Sequence, residues 1–160
     1  MAVNDILLLG NPLLYKKSTP VALEEMNELL PQVHLMFETI LDFQKKYGVG
    51  RAMAAPQIGL LKRIICLNMD KPVAMFNPEL SDLSEELFEI WDDCMSFPNL
   101  LVKVRRHKSL TLTFFDLNEE KQVWHLQDDL AELIQHEYDH LDGILATQRA
   151  IDNKSFRWKK

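Results

Sequence analysis

Disulfides, membrane spans, excess basic charge and repeats are what this sequence does without. Its 160 residues include two cysteines, Cys66 and Cys94, too few for a disulfide framework in a chain of this size. No apolar run approaches the ~18 residues that suggest a membrane span. The first such run, Ile6 to Leu9, is short, soon meets Gly10 and Pro12, and has no basic residue before it. That argues against a secretory signal, and the cytoplasm is the default expectation. The formal net charge is −6, which speaks against a wide basic face for nucleic acid. Repeats, low-complexity tracts and long linkers are missing too. What is there is an ordinary core composition, 47% hydrophobic and 26% charged. Residues 1–160 are therefore expected to form one domain.

Residues 22–47 carry apolar side chains at helical spacing, with Pro31 expected to kink or split the helix and Tyr47-Gly48 to stop it. Residues 48–59 are rich in small side chains and read as a loop or short edge strand where backbones approach closely. Strand-like runs follow at 63–68, 73–77, 86–91, 101–105, 108–116 and 122–127. The last two are expected to form a hairpin around residues 117–120, without the usual Asn-Gly signal. A second strong helix begins near Asp128 or Asp129, either of which could cap it, and runs to Leu141, with Gly143 ending it. Strands between two long helices give an α+β fold. Cys66 lies in one strand-like run and reads as a buried structural thiol.

The pattern His-Glu-x-x-His occurs once, at His136-Glu137-Tyr138-Asp139-His140. Histidines four apart sit one above the other on a helix, so two imidazoles can reach one cation. At about 100° per residue, Leu130, Leu133, Ile134, Tyr138, Leu141 and Leu145 share an apolar arc. Glu137 falls inside that arc, with the histidines at its edge. A buried carboxylate needs a partner. A cation with a water on it would supply one, and Glu137 could then act as general base to that metal-bound water, the nucleophile of a hydrolysis. The bland alternative is a solvated helix face. A catalytic site of this kind needs a third protein ligand and an open position. Cys66, Cys94, His34, His107, His125 and several carboxylates are all candidates by spacing.

Three segments together resemble the peptide deformylase family. Gly50 to Gln57 is similar to its Gly-rich run ending in Ala-Ala-Pro/Thr-Gln. Asp92 to Ser96 is similar to its Glu-Gly-Cys-Leu-Ser, and Gln135 to Leu141 matches Gln-His-Glu-x-Asp-His-Leu. The segments 10–14 and 76–80 agree as well. The resemblance implies mostly antiparallel strands packed around a central metal-binding helix, with a long N-terminal helix. It also implies Cys94 as third ligand beside His136 and His140, and Glu137 as general base and acid. The metal would be Fe²⁺, with Zn²⁺ or Ni²⁺ able to substitute. Gln57 and the Met95 backbone N–H would stabilise the oxyanion, and Gly50 would lie where the substrate backbone pairs with the protein. The implied reaction removes formate from N-formylmethionine on nascent peptides, by a monomer that needs neither a membrane nor a specific nucleic-acid sequence.

The sequence departs from the family pattern at Asp92-Asp93, where the family has Glu-Gly, and at Ala52, where a second glycine is usual. The family carboxylate holds an arginine, and Arg106 stands at the matching place. Asp92, one methylene shorter, would reach it directly or through water, unless Arg106 is only a solvated strand residue. Asp93 is expected either to bring bulk and charge to the substrate site beside Cys94, or to turn to solvent. Lys154, Arg157, Lys159 and Lys160 form a basic tail, read as a solvated terminus, with a ribosome contact as the alternative by analogy. Competing functional readings are a metal-binding homologue that holds peptides without turnover, and a zinc endopeptidase.

Overall fold

A computed structural model describes residues 5–159. Its helices are α1 (Leu30–Tyr47) and α2 (Asp128–Leu141). The strands are β1 (Ala52–Ala54), β2 (Ile64–Asn68), β3 (Pro72–Ser81), β4 (Leu87–Asp92), β5 (Leu100–His107), β6 (Ser109–Phe115), β7 (Lys121–Gln127) and β8 (Phe156–Trp158). They form a five-stranded sheet ordered β1-β2-β3-β6-β7 and a three-stranded sheet ordered β4-β5-β8. Every strand pair in both sheets is antiparallel. The expected α+β fold is present, with α2 at its centre. No described helix is long and apolar enough to cross a membrane.

The larger sheet is covered on both faces. Side chains alternate along a strand, so Ile64 and Cys66 of β2 join Val33, Met36, Ile40 and Phe43 of α1. Ile65 and Leu67 point the other way and join Leu112, Phe114, Leu133 and Ile134, under α2. Double coverage explains why β2 reads as an unbroken apolar run although its neighbours are antiparallel. It also buries the Cys66 thiol completely, and burial raises its pKa further. The smaller sheet packs through Val102 and Val104 against Leu14, Phe97 and Leu145, with Cys94 in the same cluster.

Several boundaries differ from expectation for local reasons. The N-terminal helix begins at Leu30, with Pro31 in its first turn, where a proline lacks only a hydrogen bond that would not form anyway. Leu23–Glu25 is a separate 3-10 turn, so Pro31 starts the helix and does not kink it. Gly48 ends it at φ 73°. Strand β3 runs well past residue 77, through a register shift between Phe76 and Glu79. Asn77 sits there at φ 51°, and its side chain accepts from the Val21 N–H and donates to the Val21 carbonyl. The β6–β7 hairpin forms as expected. Asp116 replaces the Asn-Gly signal, its carboxylate accepting from the N–H groups of Asn118 and Glu120. Neither Asp128 nor Asp129 caps α2. Gln127 holds the N-cap without a side-chain bond, while Asp128 pairs with Lys108 and Asp129 with Arg51. The C-terminal segment is not simply solvated: β8 pairs with β5, and the Lys159 N–H donates to the Asn99 carbonyl. Lys160 lies outside the described residues.

Candidate metal centre

Helix α2 presents His136 and His140 one turn apart, with ring centroids 5.0 Å from each other. The loop after β4 brings Cys94 to them, its Sγ 3.3 Å from His140 Nε2. Donor atoms of Cys94, His136 and His140 all lie within 4.8 Å of one another, and all three residues are buried. Two histidine nitrogens and a thiolate form a donor set suited to a divalent transition metal. The other cysteine and histidines stand elsewhere: Cys66 in the core, His34 and His125 exposed, and His107 bonded through Nδ1 to the Ser84 carbonyl.

The helix is anchored from outside the ligand set. His136 Nδ1 donates to Asp92 Oδ2 at 2.8 Å, leaving Nε2 for a cation. Arg106 Nη2 donates to the same Asp92 oxygen at 2.9 Å, and Arg106 Nη1 to Asp139 Oδ2 at 2.7 Å. Asp139 also accepts from Arg149. Arg106 is thus a buried link between β4 and α2, not a solvated strand residue, and the shorter Asp92 reaches it directly. Burial works against the charge on Asp92, but His136 and Arg106 outweigh it and hold the carboxyl well below its ordinary range. Burial also disfavours charge on His136, yet Asp92 and Cys94 prevail and raise its pKa. A cation at Nε2 would take the place of that proton among the same anions. His140 is held neutral by burial and then by the charge of His136.

Glu137 is buried beside these residues, and its Oε1 has no hydrogen-bond partner. Burial pushes its carboxyl up to about 7, against the opposing pull of His136. A buried acceptor without a partner is expensive in a finished core. It is what a site awaiting a cation and its water would contain, so the residues fit a metal ion.

Gln57 is buried next to Cys94. Its Oε1 accepts from the Ala54 N–H, which turns its Nε2 toward Ser96 Oγ at 3.1 Å and Cys94 Sγ at 3.5 Å. A cavity of about 200 Å³ adjoins the site, lined by Gly50, Met95, Leu133 and Glu137 among others. Gly50 sits at φ 124°, and a Cβ there would meet Phe43 at 2.9 Å and Met95 at 3.0 Å. Glycine is therefore required on that wall. Asp93 stands at the cavity mouth and is ion-paired with Lys159 at 2.6 Å. Its φ is not positive, so the backbone there does not require the family's glycine. Glu132, one turn before His136, lines the same cavity and is 5% exposed. Burial and then Asp92 push its carboxyl up to about 8. Sequence reading passed over Glu132 because an acid in the first turns of a helix usually faces water. Its i, i+4 spacing to His136 was the available signal.

The family model for polypeptide deformylase matches residues 3–156. A peptide deformylase of Pseudothermotoga lettingae is 35% identical over 159 residues, covering 99% of this chain and 89% of the relative. One from Thermotoga maritima is 31% identical over 156 residues, covering 97% of this chain and 92% of the relative. The crystal structure of peptide deformylase from Thermotoga maritima superposes with a TM-score of 0.83 at 30% identity, over 92% of this chain and 97% of that one. That of Synechococcus elongatus, in complex with actinonin, gives 0.85 at 26% identity, over 94% and 80%. With the matching family model, near full-length relatives and a shared fold, the chain belongs to the peptide deformylase family and is an amide hydrolase of that class.

Proposed function

We propose that this enzyme removes the formyl group from N-formylmethionyl peptides, using Glu137 as general base and then general acid. The observation that carries the reading is the buried Glu137 carboxyl, its Oε1 without a partner, beside three converging side chains that could hold a metal ion. Cys94, His136 and His140 would hold a divalent cation, Fe²⁺ in the cell, with Zn²⁺ or Ni²⁺ as substitutes. Such a cation polarises a carbonyl and lowers the pKa of water. The thiolate of Cys94 donates more charge than imidazole and would make Fe²⁺ and itself prone to oxidation together.

The chain's own residues divide the remaining work. Strand β1 is an edge of its sheet, and Gly50, Arg51 and Ala52 line the cavity. An extended peptide would add to that edge, with its first side chain in the cavity and its formyl group at Glu137. The Gln57 amide, oriented by the Ala54 N–H, and the Met95 backbone N–H would donate to the oxyanion. Glu137 takes a proton from the attacking water and returns it to the amine nitrogen as the C–N bond breaks. The products are formate and a free amino terminus. Its pKa, raised by burial to about 7, suits a group that must both accept and release a proton near neutral pH.

The departures at Asp92 and Asp93 leave this machinery intact, since Asp92 still holds His136 and Arg106 and Asp93 is neutralised by Lys159. Metal-loaded protein should be given one peptide in formylated and unformylated form and the products weighed by mass spectrometry. The expected result is formate plus the intact deformylated peptide, with the unformylated peptide untouched. Internal cleavage of either peptide would point to an endopeptidase, and binding without products to a peptide-holding homologue.

A further inference from the structure

After α2 the chain turns back along the helix. Gly143 makes the turn at φ 74°, so close to the Tyr15 carbonyl that a Cβ there would meet it at 2.6 Å. Leu145 and Ala146 are then buried with Val102 and Val104, and the Ile151 N–H donates to the Lys103 carbonyl. Between these anchors a 3-10 turn, Ala146–Arg149, brings Arg149 beside Asp139, ten residues earlier. Arg149 does not line the cavity beside Glu137.

Four charged side chains and one imidazole run in series from Arg149 to the metal centre. Arg149 Nε donates to Asp139 Oδ2 at 2.6 Å, and its Nη2 to Oδ1 at 3.0 Å. Arg106 Nη1 donates to the same Asp139 Oδ2 at 2.7 Å, and Arg106 Nη2 to Asp92 Oδ2 at 2.9 Å. His136 Nδ1 donates to that Asp92 oxygen at 2.8 Å. Every member is buried except Arg149, whose side chain is 44% exposed. A carboxylate held at one oxygen can still turn about its last bond, because that torsion is broad. Two parallel N–H bonds from one guanidinium fix its plane. Arg149 supplies that grip, and so sets where Asp139 Oδ2 points to receive Arg106. Arg106 in turn can hold Asp92 in place only while its own other end is fixed.

We infer that Arg149 is a positioning residue for the metal centre. Its two-point grip on Asp139 fixes Arg106 and Asp92, and through them the ring of His136. The inference rests on the metal-binding reading above, not on the identity of the substrate.

The test uses the full chain as wild type, Arg149→Ala and Arg149→Lys. Arg105→Ala is the control, since it breaks an ion pair with Glu89 that lies outside this series. Ni²⁺ affinity is measured by chelator competition. The His136 Nδ1–H resonance of metal-free protein is followed by proton NMR and identified by its absence in His136→Asn. Loss of a direct partner of a ligating histidine costs about 10–100-fold in affinity, so a residue further out should cost about threefold to tenfold. Arg149→Ala should lose that much, with its Nδ1–H broadened by exchange with water. Guanidinium ion at a non-denaturing concentration should restore the affinity, because the exposed end of the series leaves it a way in. Arg149→Lys keeps the charge but offers a point in place of a fork, and should fall between wild type and alanine. It decides the matter if the alanine variant fails to fold. Arg105→Ala should match wild type.

Wild-type affinity and a sharp Nδ1–H in Arg149→Ala would overturn the inference. So would Arg149→Lys equal to wild type, an equal loss in Arg105→Ala, or a loss that guanidinium does not restore, the mark of a merely structural role. Wild type that binds no Ni²⁺ would overturn the metal reading and this inference with it. Formate release is assayed separately on the same proteins. Its absence from metal-loaded wild type would overturn the proposed reaction, while affinity and the Nδ1–H signal still decide the role of Arg149.

Discussion

Asp92 and Asp93 share a side chain and a peptide bond, yet one is 4% exposed and the other has a side chain 48% exposed. Asp92 ends β4 with its carboxylate turned into the protein, where Arg106 and His136 both donate to one oxygen. Asp93 pairs with Lys159 at the cavity mouth. The split follows from what each meets: Asp92 is the last residue of β4 and faces Arg106 and His136, and Asp93 is the first beyond it and faces Lys159. It also shows why one departure from the family pattern holds the site together while its neighbour is tolerated. Burial turns the first pair into a structural requirement, and water screens the second.

The sharpest way to break this comparison is to remove Asp92. Asp92→Ala leaves the buried Arg106 with Asp139 as its remaining carboxylate partner and frees the His136 ring, and should cost about 3 kcal/mol of stability in urea unfolding. Metal affinity should fall about 10–100-fold in a chelator titration, because the ring loses its orienting partner. A variant as stable as wild type would show that Asp92 and Asp93 are alike after all.

A second effect comes from pH. The Asp92 carboxyl is held below its unfolded value of 3.8. Its contribution to stability is therefore fully present above that value and is lost as pH falls toward the lower folded pKa. Asp92→Asn, which keeps the shape without the charge, should be less stable than wild type at neutral pH. The gap should narrow below about pH 4. A gap independent of pH would mean that shape, not charge, holds the site.

Smaller changes are expected at the exposed neighbour. Asp93→Gly, which restores the family residue, should alter stability by less than about 1 kcal/mol. Metal affinity should stay the same within the precision of the titration. Smaller still, Lys159→Ala should shift stability by about 0.5 kcal/mol or less, with the difference fading in high salt. A loss of several kcal/mol from either variant would contradict the assignment of this pair to the solvent-screened rim.

Much of the site could be read from spacing. His136 and His140 fall on one helical stripe, and Glu137 falls on the apolar arc beside them, so a buried carboxylate near two imidazoles was visible before any coordinates. The proposed third ligand, Cys94, was not. Residues 94 and 140 meet only because the β4–β5 sheet folds onto α2, and local pattern carries no signal for such a contact. Arg106 was ambiguous for the same reason: its burial is decided by Asp92 and Asp139, fourteen residues before it and thirty-three after. Strand β8 went unread because its three residues are exposed and gain their order from pairing with β5. Strand β2 was legible because both of its faces are buried.

The central claim is that the orphaned Glu137 carboxyl moves the proton in deformylation. Its most direct test is formate release from an N-formylmethionyl peptide by wild type and Glu137→Gln, prepared anaerobically with bound metal counted in both. The account predicts turnover in wild type and a loss of at least about 100-fold in the variant, with metal content unchanged. A Glu137→Gln protein that carries its metal and releases formate at the wild-type rate would contradict it.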